Sequence, residues 1–195
     1  MNLPNALTVF RFGVTLGFIH FLSMPGLRAK VVATILFGVA AVTDFLDGYL
    51  ARKYNLVTVF GKIMDPVADK FLTLSAFFML AKQGLVAFWM VAVIAVREVL
   101  ITFLRLTAMR QGVVLAAERS GKIKTVLQMT AIIFMLGITV GREVYEEGPI
   151  LAGCLRGIWF GMVGVVGITV WSGVSFLWVN RTRWLGKVEG SVNER

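Results

Sequence analysis

Four aspartates stand inside or beside long apolar runs of this chain, at positions 44, 47, 65 and 69. A carboxylate in such a run is costly unless something compensates its charge, so each one is a candidate functional residue. Asp44 and Asp47 are three residues apart and Asp65 and Asp69 are four apart, so each pair lies on one face of a helix. Two acidic faces joined by a short turn can face each other, and the spacing predicts that the four carboxylates converge.

Converging carboxylates of this kind favour a divalent cation. Four like charges cannot all stay ionised together without one, and carboxylate oxygens are hard ligands that suit Mg²⁺, Mn²⁺ or Ca²⁺. The small residues Gly48, Ala51 and Gly61 leave one wall of this site without bulk. A metal beside such a wall suits a diphosphate, because the ion bridges phosphoryl oxygens and neutralises the charge that develops as a P–O bond breaks.

The composition indicates which elements hold these residues. Of the 195 residues, 57% are hydrophobic and only 16% are charged. A soluble domain of this size could not bury so much apolar surface, so an integral membrane protein is predicted. One domain covering residues 1–195 is expected at this length. Cys154 is the single cysteine, which excludes a disulfide framework and a cysteine metal site.

The apolar runs predict an all-α protein with six transmembrane helices. A short amphipathic segment containing Pro4 precedes the first helix, and residues 185–195 are predicted to be a disordered tail. The two acidic faces fall at the end of the second helix and the start of the third, and therefore at one membrane face. The predicted helices cover residues 8–24, 29–53, 59–82, 85–109, 121–141 and 150–179.

The distribution of basic residues predicts the orientation of these helices. The formal net charge is +9, and most basic residues outside the apolar runs fall on the face that holds the aspartates. The positive-inside rule then places both termini and the acidic site in the cytoplasm, with the chain in the cell membrane. Nucleic-acid binding is not favoured, because the basic residues are scattered among membrane segments. The residues that decide the orientation are Arg52, Lys53, Arg110, Arg119, Lys122, Arg181, Arg183 and Lys187.

A second group of charges interrupts the fourth and fifth helices. Arg97 and Glu98 are sequence neighbours whose side chains leave a helix about 100° apart, so we expect each to pair with another helix rather than with the other. Arg105, Lys122 and Lys124 indicate an anion site near the aspartates, suited to a phosphate on a second substrate.

Small residues recur every fourth position in the sixth predicted helix, at Gly153, Gly157 and Gly161. This spacing lets helices approach closely, either within one molecule or across a dimer. The sequence leaves both arrangements open.

The acidic segment resembles a known family signature. Asp44-x2-Asp47-Gly48-x2-Ala51-Arg52-x8-Gly61-x3-Asp65-x3-Asp69 resembles the complete motif of the CDP-alcohol phosphatidyltransferases at all eight fixed positions. The resemblance implies transfer of a phosphatidyl group from CDP-diacylglycerol with release of CMP, within a homodimer. It also implies two Mg²⁺ or Mn²⁺ ions held by the four aspartates, with Asp69 acting as general base as well.

The same resemblance implies a set of donor contacts. The N-terminal segment Asn2-Leu3-Pro4-Asn5-Ala6-Leu7-Thr8, followed by Arg11, is similar to the N-terminus of many family members. The residues expected to contact CDP are Asn5, Thr8, Thr43, Gly48, Ala51, Arg52 and Gly61.

A second motif narrows the resemblance to one branch of the family. Arg97-Glu98-Val99-x5-Arg105, with Gly121-Lys122-Ile123-Lys124-Thr125-x2-Gln128-Met129, resembles the phosphatidylglycerophosphate synthases, which act in phospholipid biosynthesis. This branch implies sn-glycerol 3-phosphate as acceptor. The residues expected to hold the acceptor phosphate are Arg105, Arg110, Lys122 and Lys124.

Other functions stay open at this point. Within the family, serine would need no second phosphate site, whereas an inositol phosphate would use the same basic residues. An aromatic prenyltransferase needs more spans than this length supplies and lacks the Asp-Gly-x2-Ala-Arg core. A divalent-cation transporter would show related halves or broken helices at the bilayer midplane, and the sequence shows no such repeat.

Overall fold

Six helices make up the regular structure of the described part of the chain. A computed structural model describes residues 3–53, 59–110, 119–145 and 148–192, with side chains for 7–44, 64, 66–109, 121, 123–145, 148–149 and 151–181. The six predicted helices are confirmed as helices. Their bounds are α1 Leu3–Ser23, α2 Leu27–Lys53, α3 Val59–Lys82, α4 Phe88–Arg110, α5 Arg119–Arg142 and α6 Pro149–Val192.

The start of α1 differs from the prediction of a separate N-terminal segment. Residues from Leu3 onward already belong to α1, which runs without a break to Ser23. Pro4 is compatible with this start, because a proline in the first helical turn lacks an N–H that would have no partner there.

The end of α6 also differs from the prediction. The helix was expected to end near Val179 and to give way to a disordered tail at 185–195, but its backbone continues to Val192. No proline follows Pro149 in the sequence to end the helix earlier. Near the predicted end, the Arg181 guanidinium lies 3.8 Å from the centre of the Trp178 ring, a contact between neighbours on one helix face. Residues 193–195 lie outside the described part.

Glycine makes two of the turns between helices. Gly26, between α1 and α2, has a φ of 95°, and Gly84, after α3, has a φ of 75°, a region that favours glycine. At the second turn the Gly84 N–H donates to Ala81 O at 2.9 Å and the Leu85 N–H donates to Leu80 O at 3.1 Å. These bonds satisfy carbonyls that the end of α3 leaves without partners.

Buried apolar side chains from all six helices form the core of the described part. Phe18 of α1 and Phe37 of α2 pack with tilted rings whose centres are 5.6 Å apart, and Phe77 of α3 is fully buried. Apolar side chains also cover the outer faces, and Trp171 of α6 is 71% exposed. Apolar outer faces of this extent are what a helix presents to lipid rather than to water.

Two segments of the described helices are long and apolar enough to cross a membrane by length and composition, Ile123–Arg142 and Leu151–Arg181. This fits membrane association. The other predicted spans are helices here, but they stay predictions as membrane spans.

The glycine stripe of α6 faces open space within the described part. A Cβ placed at Gly153, Gly157 or Gly161 would meet nothing within 4 Å among the described residues. Packing of another helix of the same molecule on this stripe, one of the two arrangements the sequence allowed, is therefore not seen there. Contact across a dimer stays a prediction.

Candidate active site

A fully buried arginine orients the first aspartate. Nη1 of Arg11 on α1 lies 2.6 Å from Oδ1 of Asp44 on α2. The Arg11 side chain is 0% exposed, whereas that of Asp44 is 41% exposed. A guanidinium removed from water requires a partner, so this pair fixes where the Asp44 carboxylate points. The motif does not include Arg11, although an arginine inside an apolar run is itself a signal of function.

The last aspartate of the motif is also paired with a cation. Nζ of Lys70 lies 2.6 Å from Oδ2 of Asp69 and 3.2 Å from Oε2 of Glu98. Asp69 and Lys70 are neighbours on α3, and Glu98 lies on α4. One ammonium therefore joins the candidate base to a carboxylate on the next helix.

Glu98 is the centre of a buried ionic cluster. Its side chain is 3% exposed, and its Oε1 accepts from Lys124 of α5 and from Arg97, whose Nη1 is 3.3 Å away. Its Oε2 faces Lys70. One carboxylate thus partners three cations that come from three helices, which ties α3, α4 and α5 together.

The expectation that Arg97 and Glu98 do not pair is wrong. The two side chains leave α4 in different directions, but the arginine side chain is long enough to bring its guanidinium back to the Glu98 carboxylate. Nη2 of Arg97 also donates to Ser172 Oγ of α6 at 2.9 Å. A Cβ at Gly173 would lie 3.1 Å from Cγ of Arg97, so a glycine here lets α6 approach the arginine closely.

Several predicted site residues have described backbones but lie outside the part whose side chains are described. Asp47 and Asp65 fall in α2 and α3, where the helical spacing places them on the faces of Asp44 and Asp69. Their convergence stays a prediction. The same holds for the assignments of Asn5, Gly48, Ala51, Arg52, Gly61, Arg110 and Lys122.

Two predicted donor contacts have described side chains. Thr43 is buried and its hydroxyl donates to Val39 O of the same helix at 2.7 Å. Thr8 of α1 is 1% exposed. Both are close in sequence to the Arg11–Asp44 pair, and their contact with a donor stays a prediction.

The two described members of the basic group have different surroundings. The Arg105 guanidinium lies 5.7 Å from the centre of the Phe176 ring, and the residue is exposed. Lys124 is buried and pairs with Glu98. The structure therefore assigns Lys124 to the ionic cluster, and its contact with an acceptor phosphate stays a prediction.

The donor set fits a hard divalent cation. Asp44 and Asp69 offer only carboxylate oxygens, and the spacing adds two further carboxylates on the same helix faces. Among the described side chains no three histidine, cysteine, aspartate or glutamate residues are grouped as metal ligands, but Asp47 and Asp65 are not in that set. Arg11 and Lys70 act as counter-charges of the two described carboxylates.

The chain belongs to the CDP-alcohol phosphatidyltransferase family, whose sequence model matches residues 1–179. The resemblance predicted from the eight-position motif is thereby confirmed. Family members are membrane proteins and generally use divalent metals, in agreement with the apolar helices and the oxygen donor set.

Several similar proteins carry the names of one branch of this family. A Bacillus subtilis protein named CDP-diacylglycerol–glycerol-3-phosphate 3-phosphatidyltransferase is 42% identical over 147 residues, 69% of this chain and 76% of its own length. A Rickettsia typhi protein of the same name is 42% identical over 75% of this chain and 83% of its own length. A Mycobacterium tuberculosis protein named probable phosphatidylglycerophosphate synthase is 38% identical over 165 residues, 80% of this chain and 78% of its own length.

Proposed function

We propose that the protein transfers the phosphatidyl group of CDP-diacylglycerol to sn-glycerol 3-phosphate and releases CMP, giving phosphatidylglycerophosphate. The observation that carries the proposal is the complete eight-position motif of α2 and α3 in a chain about 40% identical to relatives named for this reaction.

The four aspartates would hold two Mg²⁺ or Mn²⁺ ions. Asp44 and Asp47 belong to α2 and Asp65 and Asp69 belong to α3, so the ligands would come from two helices. Bound ions would neutralise the diphosphate and stabilise the charge on the departing CMP. Arg11 supports this arrangement, because its buried guanidinium keeps the Asp44 carboxylate in one orientation.

The chemical step is a displacement at phosphorus. A hydroxyl oxygen of glycerol 3-phosphate forms a bond to the phosphorus that carries the diacylglycerol, and the bond from that phosphorus to the bridging oxygen breaks. The bridging oxygen leaves with CMP. Asp69 accepts the hydroxyl proton and acts mainly through its position beside the attacking oxygen.

Basic residues would hold the phosphate of the acceptor. We assign this role to Arg105, Arg110, Lys122 and Lys124, of which Lys124 would share its ammonium with Glu98. The donor would contact the small and polar residues of the motif and the start of α1. These are Asn5, Thr8, Thr43, Gly48, Ala51, Arg52 and Gly61.

The six helices would span the cell membrane, with both termini and the site at the cytoplasmic face, and two copies would pair as a homodimer. The acyl chains of the donor stay in the bilayer while its head group reaches the site. Labelling of single cysteines at loop positions tests the orientation, and cysteine crosslinking along the open glycine stripe of α6 tests the dimer. Labelling from the outer side at the motif end, or no crosslinked product, would contradict the respective proposal.

A CMP-release assay tests the function. Purified protein in detergent receives CDP-diacylglycerol and Mg²⁺ with glycerol 3-phosphate, inositol 1-phosphate or serine as the single acceptor. We expect release with glycerol 3-phosphate alone and its loss with EDTA. Release with another acceptor would keep the mechanism and overturn the acceptor assignment. No metal-dependent release from folded protein would favour a divalent-cation transporter.

A further inference from the structure

The ammonium of Lys70 lies between two carboxylates that have different tasks. It is 2.6 Å from Oδ2 of Asp69 and 3.2 Å from Oε2 of Glu98. A lysine ammonium has three donors on a long stem with several rotatable bonds, so a small rotation moves it from one oxygen toward the other.

The contact with Asp69 conflicts with the metal site that the proposed function requires. An ammonium on Oδ2 occupies an oxygen that a divalent cation would need as ligand, and it adds a like charge beside that cation. Binding of the ion through this oxygen therefore requires Lys70 to withdraw. Its side chain is only 21% exposed, so withdrawal without a new partner would leave a poorly hydrated charge unpaired.

Glu98 is positioned to bind this ammonium. Its other oxygen, Oε1, is held by Lys124 and by Arg97, so the carboxylate is fixed in place while Oε2 faces Lys70. The Glu98 side chain is 3% exposed, which excludes most of the water that would otherwise compete for Oε2.

We propose that Glu98 is a positioning residue that takes Lys70 from Asp69 when a divalent cation binds to the aspartates. The inference rests on the metal assignment of the proposed function. If the cluster were purely structural, loss of Glu98 would lower the stability of the protein and leave its affinity for metal unchanged.

Direct measurement of Mn²⁺ binding distinguishes a positioning role of Glu98 from a purely structural one. Free Mn²⁺ is followed by electron paramagnetic resonance during titration of the purified full chain in detergent, without substrates. For Glu98→Gln we expect a Kd about tenfold higher than for the unaltered protein, the size that loss of one charge-assisted hydrogen bond commonly has. Glu143→Gln removes an exposed carboxylate beyond α5 and should leave the Kd unchanged.

A double-mutant cycle tests whether Glu98 affects the Mn²⁺ affinity through Lys70. Lys70→Met removes the competing ammonium, so Mn²⁺ should bind more tightly than to the unaltered protein. In this background Glu98→Gln should change the Kd by less than about twofold, because the side chain that Glu98 receives is gone. An undiminished effect of Glu98→Gln in the Lys70→Met background would overturn the proposal.

Thermal unfolding and size-exclusion profiles show whether each variant is folded. If Glu98→Gln does not fold, Lys70→Met still tests the proposal. Unchanged or weaker Mn²⁺ binding in that variant would contradict competition between the Lys70 ammonium and the ion for Asp69. Failure of the inference is distinguishable from failure of the function. The expected Mn²⁺ results without any CMP release would refute phosphatidyl transfer alone, and CMP release with a Kd insensitive to Glu98→Gln would refute the role of Glu98 alone.

Discussion

Buried cations meet different acceptors at the two ends of the helices. At the motif end, Arg11 pairs with Asp44 and Lys70 lies between Asp69 and Glu98, so these two cations meet side-chain carboxylates. Each of these pairs joins charges that are partly or fully removed from water, and such pairs add little stability beyond the cost of their desolvation.

At the opposite end the acceptors are backbone carbonyls. Nζ of the buried Lys30 donates to Leu22 O at 2.8 Å, and Nε2 of Gln83 donates to the same oxygen at 3.2 Å. Nη1 of Arg142 donates to Gln83 O at 3.3 Å. These bonds satisfy carbonyls at the last turn of α1 and just beyond α3, which would otherwise have no helical partner.

The difference shows which end can change its partners. A carbonyl at a helix end is fixed by the backbone and binds a cation only weakly, so the bonds of Lys30 and Arg142 hold helices together. A carboxylate can pass from an ammonium to a metal ion, so the pairs of Asp44 and Asp69 can be exchanged during binding. Substitutions at the motif end should therefore alter activity, and those at the other end should alter stability alone.

The largest effect is expected for Asp69→Asn. The amide cannot accept the hydroxyl proton and is a poor metal ligand, so CMP release should fall by about a thousandfold or more. The melting temperature should stay close to that of the unaltered protein, because Asp69 is partly exposed and its carboxylate pairs with its neighbour Lys70. Substantial remaining activity in folded Asp69→Asn would remove the assignment of Asp69 as base.

Arg11→Met should have an intermediate effect on both activity and stability. Loss of the guanidinium frees the Asp44 carboxylate, so we expect CMP release to fall by about ten- to a hundredfold. The free energy of unfolding should fall by about 2 kcal/mol, less than for a fully buried pair because the Asp44 side chain is 41% exposed. Arg28→Met, at an exposed position of α2, is the matched control. Equal effects of both substitutions would contradict a specific role of Arg11.

The smallest effect is expected for Lys30→Met. Methionine keeps most of the volume and removes one hydrogen bond to Leu22 O, which should cost about 1 kcal/mol of stability. CMP release per folded molecule should not change. Lys82→Met, at an exposed position of α3, should alter neither property. A tenfold loss of activity in folded Lys30→Met would contradict the expectation that substitutions at this end alter stability alone.

The helices and the acidic faces could be predicted from periodicity, because apolar runs and spacings of three or four residues act within one helix. The ionic cluster around Glu98 could not be predicted from periodicity. Which cation meets Glu98 depends on how α3, α4 and α5 are rotated against one another, and the sequence pattern of one helix carries no information on its neighbours. Lys124 was therefore assigned to an acceptor phosphate without its pairing to Glu98 being foreseen.

Arg11 illustrates the same limit. The sequence does not predict its role, because only the packing of α1 on α2 identifies Asp44 as its partner. The end of α6 has a local explanation. The polar residues after Val179 predict that the helix ends there, but no proline follows to stop it and the helix continues to Val192.

The cluster in which the carboxylate of Glu98 is shared by Lys70, Arg97 and Lys124 also constrains the evolutionary history of the chain. Loss of Glu98 first would leave three cations without the carboxylate that they share, whereas loss of one cation first leaves an acid with two partners. Substitutions at these positions should therefore have a preferred order, cations before the acid. A library that varies the four positions together should yield active chains without Glu98 only where at least one of the three cations has also been replaced.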